Sequence, residues 1–270
     1  MPMASAQCVV VLLILALVPN SISRPMTIRT TPEKPNSARP EPISDGAPRR
    51  SPENHRYCES WRFSVEVNDA GVWTQIPARC EKYVEEYMNG DGYRYDMDVV
   101  AGDALVFAQT VNVSGDGMDA WVFDIDETLL SNLPYYATVE YGLEEYDETS
   151  WDEWVDAAKA PAIPASLKLY KEVQQLGFTI FLLTGRDESQ RNSTVKNLKD
   201  AGYSNWKRLI LRGESDSGKP AIMYKSEKRS DIKDEGYIIH GSSGDQWSDL
   251  LGFAIAQRSF KLPNPMYYIS

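Results

Sequence analysis

The sequence predicts a doubly wound α/β domain, a mostly parallel sheet with helices on both faces and further helices ahead of it. Short, near-continuous apolar runs alternate with amphipathic stretches, as parallel strands covered on both sides do. Several of these runs stop abruptly in clusters of Asp, Gly, Thr and Ser, the polar residues expected beyond strand ends. No repeat of solenoid or propeller period is present.

Residues 81–88 and 101–110 read as helices separated by a turn, Asn89-Gly90-Asp91-Gly92. Residues 120–125 (AWVFDI) are the first strand and break into acids. Leu167, Tyr170, Val173 and Leu176 then recur at three-residue spacing, after Pro164 in a first turn and before Gly177 at a C-terminal cap. Residues 179–183 (TIFLL) are a second strand, ending in Thr184-Gly185-Arg186. Residues 188–201 read as a helix stopped by Gly202. Residues 208–211 (RLIL) and 237–240 (YIIH) are the third and fourth strands, the latter leading into Gly244-Asp245, and residues 253–256 are a candidate fifth.

The ends of the chain differ in character. Residues 8–18 (CVVVLLILALV) are apolar but too short for a comfortable bilayer span, and with Ser21 and Ser23 they read as a secretory signal over residues 1–23. Residues 1–7 carry no Lys or Arg, a departure from that pattern that leaves a retained anchor as the alternative. Residues 24–55 are rich in proline (Pro25, Pro32, Pro35, Pro40, Pro42, Pro48, Pro52) and poor in large apolar residues, which predicts a disordered arm before a folded domain over 56–270. With Cys8 removed in the signal, Cys58 and Cys80 remain. In an oxidising compartment they most simply form one disulfide worth about 3 kcal/mol, the alternative being two buried thiols. Asn112-Val113-Ser114 and Asn192-Ser193-Thr194 are glycosylation sequons.

At 270 residues, 42% hydrophobic and 25% charged, the chain has the composition of a globular protein. Its net charge of −11 disfavours nucleic acid and anionic membranes as general partners. Only two histidines are present, His55 and His240, which excludes histidine phosphatases and most multi-histidine metal sites. Catalysis must then run on carboxylates, hydroxyls and ammonium groups.

Asp124-Ile125-Asp126-Glu127-Thr128 follows the first strand, and residues two apart on a strand point the same way, so both aspartates should face one cleft. Two such carboxylates repel, and a divalent cation offsets that; hard oxygen ligands and few histidines favour Mg²⁺. Taken alone, the pattern also fits an acidic turn or a Ca²⁺ loop. Asp124/Asp126, Thr184 and Gly244/Asp245 all fall at the carboxyl ends of strands, where open parallel sheets bind ligands.

Residues 123–128 (FDIDET), 182–186 (LLTGR), Lys225 and residues 244–249 (GDQWSD), in this order, resemble the four motifs of the haloacid dehalogenase-like phosphohydrolases. Residues 224–229 (YKSEKR), 244–252 (GDQWSDLLG) and 260–268 (FKLPNPMYY) further resemble the plant acid phosphatase and vegetative storage protein family. One departure is His240-Gly241-Ser242-Ser243, where that family has a Gly-Asn pair before the last motif. The resemblance implies a Rossmann-like fold with a small helical cap insertion, placed at about 129–163, where Tyr135, Tyr136, Tyr141, Tyr146, Trp151 and Trp154 lie either as core or as a stacking surface.

By the same resemblance Asp124 is the nucleophile and Asp126 the general acid and base. Thr128, Thr184, Gly185 and Lys225 contact the phosphoryl group, Thr184 and Gly185 near the start of the following helix. Position alone does not choose Lys225 over Lys219 or Lys228; the family pattern does. The Mg²⁺ site is Asp124, Asp126 through its backbone carbonyl, Asp245 directly, and Asp249 through water or as a partner one step removed from the metal. Trp247 reads as packing.

The implied activity is a Mg²⁺-dependent acid phosphatase acting on small phosphomonoesters through an aspartyl-phosphate, secreted to the apoplast or vacuolar, with no nucleic-acid partner and no stable membrane anchoring. A homodimer is left open. The alternative is a vegetative storage protein with weak or incidental activity. Storage members of the family can lack the nucleophile, whereas Asp124 is present here. A binding module without turnover is the third reading.

Overall fold

The computed structural model describes residues 51–269; the apolar run at 8–18 and the proline-rich residues up to 50 lie outside them. A five-stranded sheet of order β3-β2-β1-β4-β5, with every pairing parallel, occupies the centre. Its strands are β1 (Asp119–Phe123), β2 (Thr179–Asp187), β3 (Arg208–Arg212), β4 (Ile238–Gly244) and β5 (Arg258–Lys261). The order runs outward from β1 through β2 to β3, then crosses to β4 on the other side. The switch point therefore lies between β1 and β4, where such sheets open a crevice.

Three helices precede the sheet: α1 (Pro52–Glu66), α2 (Glu81–Met88) and α3 (Asp91–Thr110). Residues 52–55, expected in the arm, are instead the first turn of α1. Pro52 is the first helical residue, where its fixed φ is favourable and its missing N–H costs nothing, and Ser51 Oγ accepts the Asn54 N–H at 3.0 Å. The disulfide Cys58–Cys80, with Cα atoms 5.4 Å apart, ties α1 to the turn before α2. Helix α3 starts ten residues before its expected start. Asn89 and Gly90 suffice for the turn, and Tyr93, Met97, Ala101, Ala104 and Ala108 continue one buried stripe.

After β1 come two short helices, α4 (Leu133–Tyr136) and α5 (Glu148–Ala157), in an insertion. Its neck is closed by an antiparallel bridge, Leu130 to Ala162, and by Ile163 N–H donating to Leu129 O at 2.9 Å. Helices α6 (Pro164–Gln175), α7 (Arg191–Asp200), α8 (Ala221–Asp234) and α9 (Trp247–Leu250) complete the fold. Leu169, Tyr170 and Val173 form the buried side of α6, whereas Leu176 at its end is exposed.

Trp121 on β1 lies flat across β4 and stacks on Phe260 of β5 at 5.6 Å, its Nε1 donating to Ser243 Oγ at 3.1 Å. Gly241 allows this, since a Cβ there would sit 2.5 Å from the indole. On the other face Val122, Phe181 and Leu183 pack with Tyr224 and Ile232 of α8.

Two expectations fail. Residues 253–256 are a surface loop, with Phe253 and Ile255 exposed and Ala254 at φ 51; the Arg229 guanidinium takes the Leu251 and Phe253 carbonyls. The fifth strand is β5, just beyond. Strand β2 also runs through Thr184 to Asp187, because pairing with β3 resumes at Asp187–Arg212 after a bulge. A short 3₁₀ turn then precedes α7, and Asp187 caps it. Among the described residues no helix is long and apolar enough to cross a membrane.

Candidate active site

Asp124 immediately follows β1, and its N–H donates to Ser243 O on β4 at 3.0 Å, holding it at the switch point. The chain then turns: Ile125 O accepts from the Thr128, Leu129 and Leu130 N–H groups, and Glu127 adopts φ 49. This turn, beyond the strand proper, sets Asp126 beside Asp124 on one cavity of about 630 Å³.

Lys225 of α8 is buried and donates to Asp124 Oδ1 at 2.6 Å and to Asp249 Oδ1. Lys219 and Lys228 turn instead to Asp216. Asp249, in α9, accepts the Gln246 N–H on its other oxygen at 2.9 Å. Gly244 lets it approach, since a Cβ there would lie 2.4 Å from the Asp249 side chain. Asp245 completes the group: Asp124, Asp245 and Asp249 are all buried and offer oxygens within 4.8 Å of one another.

Burial, and then the Asp249 carboxylate, push Asp124 well above the usual carboxylate range despite Lys225. Burial and Asp249 likewise push Asp245 up to about 6. Three buried carboxylates facing one lysine are short of positive charge, and the set is all hard oxygen. These residues fit a hard divalent cation.

The Asp126 carboxylate points elsewhere. Arg186 of β2 donates to it through Nε at 3.1 and 3.2 Å and Nη2 at 2.7 Å, and Asn132 Nδ2 donates at 2.9 Å. Burial alone would raise this carboxyl, but the guanidinium prevails and holds it below the ordinary range. Its side chain is thus not one of the clustered metal-facing carboxylates. Thr184 is fully buried, with its hydroxyl 3.5 Å from Asp126 and accepting the Arg186 N–H at 3.2 Å, whereas Gly185 is exposed on the cavity.

Thr128 departs from its expected role as a substrate contact. Its buried hydroxyl donates to Asp245 at 3.3 Å, because the turn after Asp126 points it back at the β4 end. Of the insertion aromatics, Tyr135, Tyr136, Tyr146 and Trp151 line the cavity while Tyr141 and Trp154 do not. Tyr135 and Tyr136 serve as core and wall together, being largely buried. Trp247 is half-buried and off the cavity.

Sequence reasoning assigned no role to Arg186, Asn132 or Asn264. Asn264 Nδ2 donates to Asp245 at 2.7 Å from the C-terminal segment. Thr194, the last residue of a sequon, is buried with its hydroxyl accepting Arg186 Nη1 at 3.1 Å; Asn192 and Asn112 are themselves exposed. The Arg in LLTGR was the available signal for Arg186, and the Asn in 260–268 for Asn264.

Comparison with known proteins agrees with this architecture. The protein resembles acid phosphatase 1 of Solanum lycopersicum, 52% identical over 85% of this chain and 90% of that one. It is 44% identical to the stem 28 kDa glycoprotein of Glycine max over 78% of this chain and 84% of that one. Vegetative storage protein 2 of Arabidopsis thaliana is 38% identical over 80% and 82% of the two chains. The class C acid phosphatase from Bacillus anthracis shares the fold, with a TM-score of 0.59, 23% identity and coverage of 70% of this chain and 85% of that one. With residues 44–270 matching the profile of HAD superfamily, subfamily IIIB (acid phosphatase), the chain belongs to this family of phosphoric monoester hydrolases.

Proposed function

We propose that the protein is a Mg²⁺-dependent acid phosphatase that hydrolyses small phosphomonoesters through a phosphorylated Asp124. The observation that carries this reading is the meeting of Asp124, Lys225, Asp245 and Asp249 at one end of a cavity that Asp126 also lines.

A carboxylate oxygen of Asp124 attacks phosphorus in line with the ester oxygen, and the P–O ester bond breaks. Asp126 gives its proton to the departing alkoxide, then takes one from water as that water attacks the phospho-aspartate and frees phosphate. Lys225, already bonded to Asp124, neutralises charge on the equatorial oxygens. The exposed Gly185 backbone offers an N–H to the same oxygens; Thr184 fixes that loop and borders Asp126. Asp124, the Asp126 backbone carbonyl and Asp245, with Asp249 beside them, would hold Mg²⁺, which would supply the positive charge that lets two anions meet. The cavity volume suits a small ester. An acid held ionised by Arg186 is protonated only under acidic conditions, in keeping with an acid optimum.

The apolar N-terminal run, the disulfide and glycoprotein-named relatives support a secretory route, secreted or vacuolar. Relatives named vegetative storage proteins favour a second role as reserve, which protein abundance by tissue would measure. The test of catalysis is phosphate release with and without Mg²⁺ in Asp124→Asn. Loss of turnover is expected, and full turnover with contaminants excluded overturns the reading.

A further inference from the structure

Asn132 stands at the entry to the insertion, fully buried, and every polar atom of its side chain is committed. Nδ2 donates to Asp126 Oδ1 at 2.9 Å and to Glu127 Oε2 at 3.0 Å, while Oδ1 accepts Trp154 Nε1 at 2.8 Å. Its backbone N–H donates to Glu127 Oε1 at 2.5 Å. Glu127 in turn accepts the Tyr267 hydroxyl at 2.9 Å. One amide therefore joins the turn after β1, helix α5 of the insertion and, through Glu127, the C-terminal segment.

Only an Asn or Gln side chain gives two N–H groups to two carboxylates while accepting from an indole N–H. A hydrophobic residue would take one donor from each of Asp126 and Glu127 and leave Trp154 Nε1 without its acceptor, and an Asp would add a third carboxylate beside Asp126. Arg186 grips Asp126 from β2, so Asn132 is the contact on the side of the insertion. The two thus hold the carboxylate from opposite sources, β2 and the insertion. Tyr135, three residues along in α4, lines the cavity and stacks near Trp154 at 6.4 Å, so the indole that holds the amide is packed against the substrate wall.

We propose that Asn132 is a positioning residue: it aims the Asp126 carboxyl at the leaving oxygen, and through Trp154 it makes that aim depend on the seating of the insertion. The inference rests on the reading of Asp126 as general acid. It goes beyond that reading by assigning a function to a residue that touches neither phosphate nor metal.

The test uses leaving groups. An alkyl phosphate such as glycerol 2-phosphate needs a proton delivered to its alkoxide, whereas p-nitrophenyl phosphate expels a stable phenolate with little help. General acid assistance is worth about 100- to 10,000-fold in such steps. The ratio of kcat/KM for the two esters, measured on Mg²⁺-loaded enzyme, reports it through the first irreversible step.

In Asn132→Ala the alkyl value should fall about 10- to 100-fold while the aryl value falls less than about fivefold. Trp154→Phe, which keeps an aromatic ring but removes the indole N–H, should move the ratio the same way by a smaller factor. It serves if Asn132→Ala does not fold. Asp126→Asn is the reference and should show the largest selective loss. An equal loss on both esters in Asn132→Ala and in Trp154→Phe, with Asp126→Asn selective, overturns the positioning role and leaves the general acid standing. An unselective Asp126→Asn overturns both.

Discussion

Arg186 and Asp126 form a forked ion pair across the cavity floor, with the guanidinium side chain 1% exposed and the carboxylate 16%. Asp126 comes from the turn after β1 and Arg186 from the end of β2, sixty residues on, and Thr194 on α7 holds the third nitrogen of the fork. The pair ties the proposed general acid to the sheet.

Arg186→Ala should lower kcat/KM by about 100-fold or more, and it should destabilise the fold by about 3–5 kcal/mol because a buried carboxylate loses its counter-charge. Arg186→Lys should recover little, since one ammonium cannot replace two parallel N–H donors. Thr194→Val keeps the fork and should cost no more than about tenfold. Steady-state kinetics with thermal melts checks all three; full recovery in the lysine variant would show that charge alone suffices.

Under the proposed mechanism Lys225 and a bound cation would share one task, offsetting the charge of Asp124 and Asp249. Removing either should leave the other sufficient for folding but not for turnover. Chelator is expected to abolish wild-type activity with a small fall in Tm. Lys225→Met should be inactive, strongly destabilised in chelator and substantially restabilised by millimolar Mg²⁺, since burial already pushes Asp124 up without a cation. Equal Mg²⁺-induced shifts in Tm for wild type and variant would refute the shared role.

The pattern of apolar runs ending in acids made the strand-end site legible, because buried parallel strands are apolar along their length and polar only where they emerge. Asp124, Lys225, Asp245 and Asp249 were all marked this way or by family motif. Arg186 with Asp126, and Asn132 with Trp154, were not. Such pairs join residues far apart in sequence, and nothing in local composition shows which arginine or amide will meet a given carboxylate. The last residues of β2 are polar and so hide its true end, and residues 253–256 read as a strand because they are apolar, although Phe253 and Ile255 are exposed. Period and polarity report burial, and these segments break that link.

The N-terminal helices reach the site from behind. Glu66 at the end of α1 accepts the Asn264 N–H at 3.0 Å and Lys261 Nζ at 2.7 Å, and Asn264 then donates to Asp245. Partners of this kind orient a metal-facing carboxylate, and their loss costs about 10- to 100-fold in metal affinity. Glu66→Ala and Asn264→Ala should raise the Mg²⁺ concentration for half-maximal activity by that factor with kcat at saturating Mg²⁺ little changed. Cys58→Ala with Cys80→Ala loosens α1 and should lower Tm, by about 3 kcal/mol of stability on the loop-entropy argument. An unchanged Mg²⁺ titration in Asn264→Ala would remove Asn264 from the site.

An enzyme working in acid must keep its fold there, and Asp119 sets part of that limit. It is buried at the start of β1, accepting the Ser114 N–H and hydroxyl at 2.7 Å each and bonded to His240 Nε2 at 2.6 Å, where β4 bulges against β1. The Ser114 bonds, chiefly, hold its carboxyl below the ordinary range. The unfolded chain, with an aspartate pKa of about 3.9, therefore takes up a proton before the folded one as pH falls. The contribution of Asp119 is complete at neutral pH, persists to about pH 5, and is lost as pH drops through its folded value. Asp119→Asn should cost about 1–3 kcal/mol at pH 7, because Ser114 and His240 lose an ionised partner in a buried place. As pH falls below the unfolded value that gap should narrow, and it closes once pH is below the folded value, since wild type then carries a neutral carboxyl as well. Urea titrations of both proteins from pH 7 to pH 2.5 measure the gap directly; a difference that stays constant across the range would mean that packing rather than ionisation makes Asp119 stabilising.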